Sequence, residues 1–363
     1  MVKKIKLFDP SIDSQEQIAI TKTLKSHFWA SGSGTGQVKK FEQKFKNYVN
    51  CKSCVSVNSG TAALHLALSL IDIRKKEVIL PSLSFVSTAH AIIYNGGIPK
   101  FVDIEENSLC LNPKLVAEQT NSNTVLLLPV HFGGMPVNLT EISKIAKKQN
   151  CEVIEDAAHA IGTIFNNKKI GSRSLAVCFS FHPVKNLAMP TGGSIALNGS
   201  DYRKNEKLLK IRRWCGISNR KEFSYDVAEL GWNLYMNEFS ASIGLVQLSK
   251  LEILNKKRKN IAKIFFSEID LENKMPFDKD CSYHLYWIRV KRRNQFMKKM
   301  KEFGIETGIH YKPIHEMSFY KNKKTKKLKI TEKVSKEIVS IPIHPNLKNS
   351  EVDYIIRCIN KIS

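Results

Sequence analysis

The spacing of apolar and polar residues changes period repeatedly along the chain. Residues 11–28 set Ile12, Ile18, Ile20 and Leu24 at helical spacing, which predicts an amphipathic helix with those side chains on its packed face. Val38, Phe41 and Phe45 repeat the helical period and are expected in the core. Between these segments lies Gly32-Ser33-Gly34-Thr35-Gly36, with no strand before it and its third glycine at the wrong spacing for a dinucleotide fingerprint, so a flexible loop is expected. Residues 55–58 read as a short strand running into Ser59-Gly60-Thr61 and a helix over 62–70. Further strands are expected at 78–81, 99–104, 125–128, 153–154 and 175–179, with helices at 87–94 and 139–148 among them. Residues 192–197 read as a hairpin-like return strand, and a long helix follows residues 231–238 through about residue 259.

Strands alternating with helices predict an α/β fold: a mostly parallel sheet, helices on both faces, and strand C-termini along one edge. A strand at 285–290 and a helix at 296–303 predict a smaller C-terminal α/β domain. The expected division is 1–250 for the large domain and 251–363 for the small one.

The strand ends carry the chemistry. Lys185 follows the apolar run Val177-Cys178-Phe179-Ser180-Phe181. On a rigid apolar platform a lysine loses its proton readily, because desolvation disfavours the ammonium. The neutral amine condenses with carbonyls, that of pyridoxal phosphate (PLP) included. Taken alone, one lysine among many is a solvated surface group. The run Val153-Ile154-Glu155-Asp156 alters that balance, since it ends an apolar strand in the carboxylate that a PLP pyridinium nitrogen needs. Ser59-Gly60-Thr61 at a helix start offers free N–H groups, hydroxyls and a positive dipole end to an anion, although an ordinary N-cap by Ser59 or Thr61 is the commoner use. Phe85 is either a core aromatic or a platform for an electron-poor ring. Gly60, Phe85, Asp156 and Ser180 all fall near strand ends and can converge. His65, inside a helix, is expected to be a packed core residue.

The segments NSGTAALHLAL, VIEDAAHAIGT and FSFHPVKNLAMPTGG resemble the DegT/DnrJ-type nucleotide-sugar aminotransferases, and the likeness covers nearly the whole chain. The resemblance implies an aspartate-aminotransferase-like, fold type I PLP-dependent transferase. It implies that Lys185 carries PLP and moves the proton, and that Asp156 keeps the pyridine nitrogen protonated. Gly60, Thr61 and Ser180 would hold the phosphate, Phe85 would stack on the ring, and His159 would lie near the ring and its phenolic oxygen. By the same resemblance the 32–36 loop leans over the site, and Asn233 reaches the neighbour's cofactor phosphate across a homodimer with shared sites. His310, Tyr311 and Lys312 become candidates for substrate contact. Two positions depart from the family: Thr191 stands where an acidic residue usually precedes the paired glycines, and Tyr235 where arginine is common. A dehydrating subclass replaces the lysine with histidine; Lys185 points to transamination.

Composition narrows the alternatives. A chain of 363 residues, 42% hydrophobic and 25% charged, has interior enough for a globular core. The start, Met1-Val2-Lys3-Lys4-Ile5-Lys6, is basic, but Asp9, Pro10 and Asp13 interrupt any signal-peptide core, and no apolar run approaches a membrane span. A cytoplasmic protein with no membrane partner is expected. Cys51-Lys52-Ser53-Cys54 has no second pair to complete a zinc site, and His310 and His315 have an intervening proline and no carboxylate partners, so no metal is expected. The net charge of +24 suits either nucleic-acid binding or solvated basic faces. The clusters Lys256-Lys257-Arg258-Lys259 and Lys323-Lys324-Thr325-Lys326-Lys327 lack interleaved aromatics and any helix-turn-helix or finger pattern. They are expected to be exposed, with no nucleic-acid partner.

The reading is a PLP-dependent aminotransferase acting on a nucleotide-linked keto sugar, a 4-keto-6-deoxy sugar, with glutamate as donor, for cell-surface glycan or amino-sugar synthesis. The alternatives are a PLP aminotransferase with a non-sugar keto substrate, such as a cyclitol or aminobenzoate precursor, and a basic nucleic-acid-binding or regulatory protein.

Overall fold

Seven short segments, apolar on both faces, form the central sheet of the computed structural model, which describes residues 4–321 and 326–362. The basic opening at residues 1–3 and Lys323, Lys324 and Thr325 of the second lysine cluster lie outside the described residues. The strands are β1 (Ser53–Val57), β2 (Glu77–Pro81), β3 (Ile98–Val102), β4 (Thr124–Leu127), β5 (Glu152–Asp156), β6 (Ala176–Ser180) and β7 (Gly193–Leu197), in spatial order β1-β7-β6-β5-β4-β2-β3. Every pairing is parallel except those of β7, the expected return strand, which runs antiparallel to β1 and β6. Helices α1 (Ser14–Lys25) and α2 (Gly36–Val49) precede the sheet. Helices α3 (Gly60–Leu68), α4 (Ser87–Tyr94), α5 (Pro113–Gln119) and α6 (Leu139–Lys148) lie in its connections, and α7 (Tyr202–Arg212) follows it.

Because successive strand residues face opposite sides, the sheet feeds two cores. Ile79, Val153, Val177 and Phe179 join one with Phe41 and Phe45 of α2, as expected for those rings. Val78, Leu80, Ile154 and Cys178 join the other with Leu64 and Leu66 of α3. The first core continues into the C-terminal part, where β8 (Tyr286–Arg289) and β9 (Ile338–Ile341) pair antiparallel beside α9 (Arg293–Glu302), α10 (Lys329–Glu337) and α11 (Asn349–Ile362). The expected division after residue 250 falls within α8 (Glu238–Glu268), which runs unbroken.

Helix α1 departs from expectation. Ile12, Ile18, Ile20 and Leu24 are exposed, the first two at 72% and 65%, while Glu16 and Thr23 are buried. The Glu16 carboxylate accepts from the Gln247 amide (2.7 Å) and the Lys250 ammonium (2.8 Å) of α8, and closes a capping box with Asp13. Those charge-assisted bonds set the helix rotation and turn its apolar stripe outward. The glycine loop is likewise not free. Gly32 and Gly34 are buried, and Gly34 sits at φ 69° where an added Cβ would lie 2.0 Å from the Arg213 guanidinium. Within the basic cluster, Lys256 and Lys257 are exposed as expected, but Arg258 is buried on the inner face of α8.

Arg213 also fastens the start of the sheet. Its fully buried guanidinium donates to Glu42 (2.6 Å) and the Ser56 carbonyl (2.8 Å), and Glu42 in turn accepts from the Ser56 N–H (2.8 Å). Glu42→Leu strands that guanidinium, and chemical denaturation should show a loss of about 3–5 kcal/mol, most of it recovered in the double variant Glu42→Leu/Arg213→Met.

Candidate active site

At the end of β6 the chain turns through His182 to Asn186, with the Lys185 N–H donating to the His182 carbonyl (2.8 Å). The next side chain clamps the turn: buried Asn186 donates to Asn255 of α8 and to the Ser282 carbonyl, both at 2.9 Å. Lys185 therefore leaves a fixed backbone and enters a cavity of about 470 Å³. Its amine lies 3.3 Å from His284 Nε2. Burial lowers the Lys185 pKa to about 8, against the opposing pull of Asp156.

Asp156 closes β5 and is buried at the same cavity. Its carboxylate accepts from the Thr88 hydroxyl (2.8 Å) and the Ala158 N–H (3.1 Å). Among the described residues it has no ion-pair partner. Burial raises its pKa, and these hydrogen bonds and the Lys185 charge offset that only in part.

The third wall is the start of α3. Ser59 caps the helix by accepting from the Ala62 N–H (3.1 Å), so the N-cap reading of this residue holds. The same geometry leaves the Gly60 and Thr61 N–H groups of the first turn without intrahelical partners, on residues that line the cavity together with Ser180. Gly60 packs so closely that an added Cβ would lie 2.7 Å from Ser180 Cβ. Phe85 is no core residue: it lines the cavity at 56% exposure.

His159 is held from both sides. Its Nδ1 accepts from the Gly133 N–H (3.2 Å), so a neutral ring carries its proton on Nε2 and donates to the Tyr311 hydroxyl oxygen (3.1 Å). Burial and the nearby Lys185 and His310 push its pKa well below the usual value, which keeps it neutral. Tyr311, its pKa raised by burial, then has its own proton free for the cavity. His310 also lines the cavity and bonds Ser340 through Nδ1 (2.8 Å), with its pKa lowered to about 4 by burial. His315 turns elsewhere, to Ser82.

The structure thus brings together Lys185, Asp156, Gly60, Thr61, Ser180, Phe85, His159, His310 and Tyr311. It does not bring Asn233 or Lys312 to this cavity; both are exposed outside its lining. The 32–36 loop does not line it either. His65 is a packed residue against Trp232, as expected. Sequence reasoning missed His284 and Phe8. Each reaches the cavity region from a distant segment, and neither sits in a strand-end pattern that could have flagged it.

The chain matches the model of the DegT/DnrJ/EryC1/StrS aminotransferase family over residues 10–360. It is 31% identical to the spore coat polysaccharide biosynthesis protein SpsC of Bacillus subtilis, over 97% of this chain and 95% of that protein. It superimposes on Spr1654 of Streptococcus pneumoniae in the pyridoxamine phosphate form with a TM-score of 0.94 at 25% identity, covering 99% of this chain and 97% of that one. A PLP form of the same protein matches at 0.93. Helicobacter pylori PseC, an aminotransferase involved in the biosynthesis of pseudoaminic acid, gives 0.92 at 27% identity, with 99% of each chain covered. The expected aspartate-aminotransferase-like, fold type I architecture is the one these proteins share.

The residues of the cavity fit PLP. A buried carboxylate with no ion-pair partner among the described residues, an amine of lowered pKa, and a helix start too close-packed for a Cβ are what the pyridinium, aldehyde and phosphate of that molecule require. Gly60→Ala should weaken PLP retention by about tenfold or more in a fluorescence titration, because the new Cβ displaces Ser180 from the helix start. A second expectation concerns stability. In the fold the Lys185 amine titrates near 8 rather than 10.5, so the unfolded chain binds more protons between those values and stability rises with pH across that window. In cofactor-free protein, Lys185→Met should melt higher than the native chain at pH 7, and the gap should close as pH approaches 10.5.

Proposed function

The chain belongs to the DegT/DnrJ/EryC1/StrS aminotransferase family, and from that premise we propose that it moves an amino group from glutamate to a nucleotide-linked 4-keto-6-deoxy sugar. It is a PLP-dependent sugar aminotransferase. The observation that carries the reading is Lys185 and Asp156 opening onto one cavity at the N-terminus of α3.

PLP, when bound, supplies an electron sink for charge developing at the donor's α-carbon. Lys185 would hold the cofactor, and its amine would take up and return the proton at Nζ; its lowered pKa suits both roles. Asp156 would keep a proton on the ring nitrogen, and that cation would give its buried carboxylate an ion-pair partner. Gly60, Thr61 and Ser180 hold the phosphate, and Phe85 offers its face to the ring. His159 orients the Tyr311 hydroxyl, leaving that proton to meet an oxygen in the cavity. His310 and Tyr311 face the sugar, with exposed Lys312 nearby for the diphosphate.

The site draws on a second copy of the chain. Asn233 is exposed and outside the lining of its own cavity, and the exposed apolar side chains of α1, with Phe28 and Trp29 beside them, offer a surface for association. The names of SpsC and PseC, tied to a coat polysaccharide and to pseudoaminic acid, support a role in cell-surface glycan or amino-sugar synthesis.

Incubation with glutamate and a panel of nucleotide keto sugars tests the reading. Mass spectrometry should show the amino sugar from a 4-keto-6-deoxy substrate; amination of cyclitol ketones alone would overturn it. Lys185→Ala should fold and show no turnover. Asp156→Asn should lower kcat by about two orders of magnitude or more, as loss of a charge-stabilising group does.

A further inference from the structure

We propose that His284 is a positioning residue for Lys185: its Nε2 accepts a hydrogen bond from the free amine and aims the nitrogen into the cavity. The inference rests on the cofactor reading above. His284 lies 99 residues beyond Lys185 in sequence, yet its Nε2 is 3.3 Å from the lysine Nζ. Its backbone is pinned, with the His284 and Leu285 N–H groups both donating to the Gly133 carbonyl at 2.9 and 3.2 Å. Its ring is held from two directions. Phe8, on the N-terminal segment, stacks on it at 5.8 Å and 17°, and His159 packs against it at 4.4 Å.

Below about pH 8 the lysine is an ammonium that can only donate, so Nε2 is the acceptor there and the proton of the neutral ring sits on Nδ1. That Nδ1 is buried and has no hydrogen-bond partner among the described residues. An unmet buried donor costs about 1–3 kcal/mol, and a ring kept only for packing would not need to bear it. The ring must also stay neutral to accept. The groups acting on it are Lys185, His159, Arg258 and His310, and each opposes a positive charge there, as does burial. Phe8 adds no charge. With one N–H given to His284, the lone pair of the neutral amine turns toward the cavity, where condensation with an aldehyde forms C=N and releases water.

The test follows PLP uptake by the full chain stripped of cofactor, read at the imine absorption band. It is paired with the affinity for 4′-deoxypyridoxine 5′-phosphate, which has the ring and phosphate but no aldehyde. His284→Phe keeps the aromatic stack and removes the acceptor. It should slow uptake by about tenfold and leave the affinity for the deoxy compound unchanged, and His284→Gln, whose amide oxygen can accept, should recover most of the rate. Uptake at the native rate in His284→Phe overturns the inference. So does a parallel loss of deoxy-compound binding in both variants, which marks a structural role. A native chain that binds no PLP overturns the cofactor reading itself, a separate and visible failure.

Discussion

Everything at this site follows from withholding water from two groups that want it. The Lys185 amine and the Asp156 carboxylate share one cavity, and burial drives their affinities for the proton in opposite directions, the amine down to about 8 and the carboxylate up. Neither is fully met by the other. Each is left waiting for a third party: an electrophilic carbon for the amine, a protonated ring nitrogen for the carboxylate. One small molecule carrying both, with a phosphate for the nearby helix start, resolves both desolvation costs at once.

Holding groups in so unfavourable a state demands a frame that cannot relax. The parallel sheet supplies the first level by ending β5 and β6 side by side, so that Asp156 and the Lys185 turn leave from adjacent strands. Second-level contacts remove what freedom remains: Asn186 locks the turn to α8, and Thr88 fixes the carboxylate from α4. The glycine at the start of α3 lets that helix close on Ser180. Behind β1, the buried Glu42–Arg213 pair ties α2, the strand and the glycine loop together. The C-terminal part adds the remaining wall through His310 and Tyr311 and meets Lys185 through His284, so no single segment builds the cavity.

The strand ends were legible in the sequence because parallel strands, buried on both faces, are short uninterrupted apolar runs, and the functional residues follow them directly. What was not legible depends on partners far away in sequence. The α1 stripe reads as a packed face, but rotation there is decided by Glu16 meeting Gln247 and Lys250. The 32–36 loop reads as flexible because of its glycines, yet those glycines make room for Arg213 and Trp214. Arg258 hides in a lysine run whose neighbours are exposed. His284 and Phe8 carry no local signal, since their meaning lies in a stack formed between the N-terminal segment and the C-terminal part.

The most direct test is the visible spectrum of the purified protein during one half-reaction. The account predicts a yellow PLP band that decays to the pyridoxamine form on adding glutamate, and returns when a nucleotide 4-keto sugar is supplied. A protein that stays colourless in excess PLP, or a band that no amino donor converts, would contradict it.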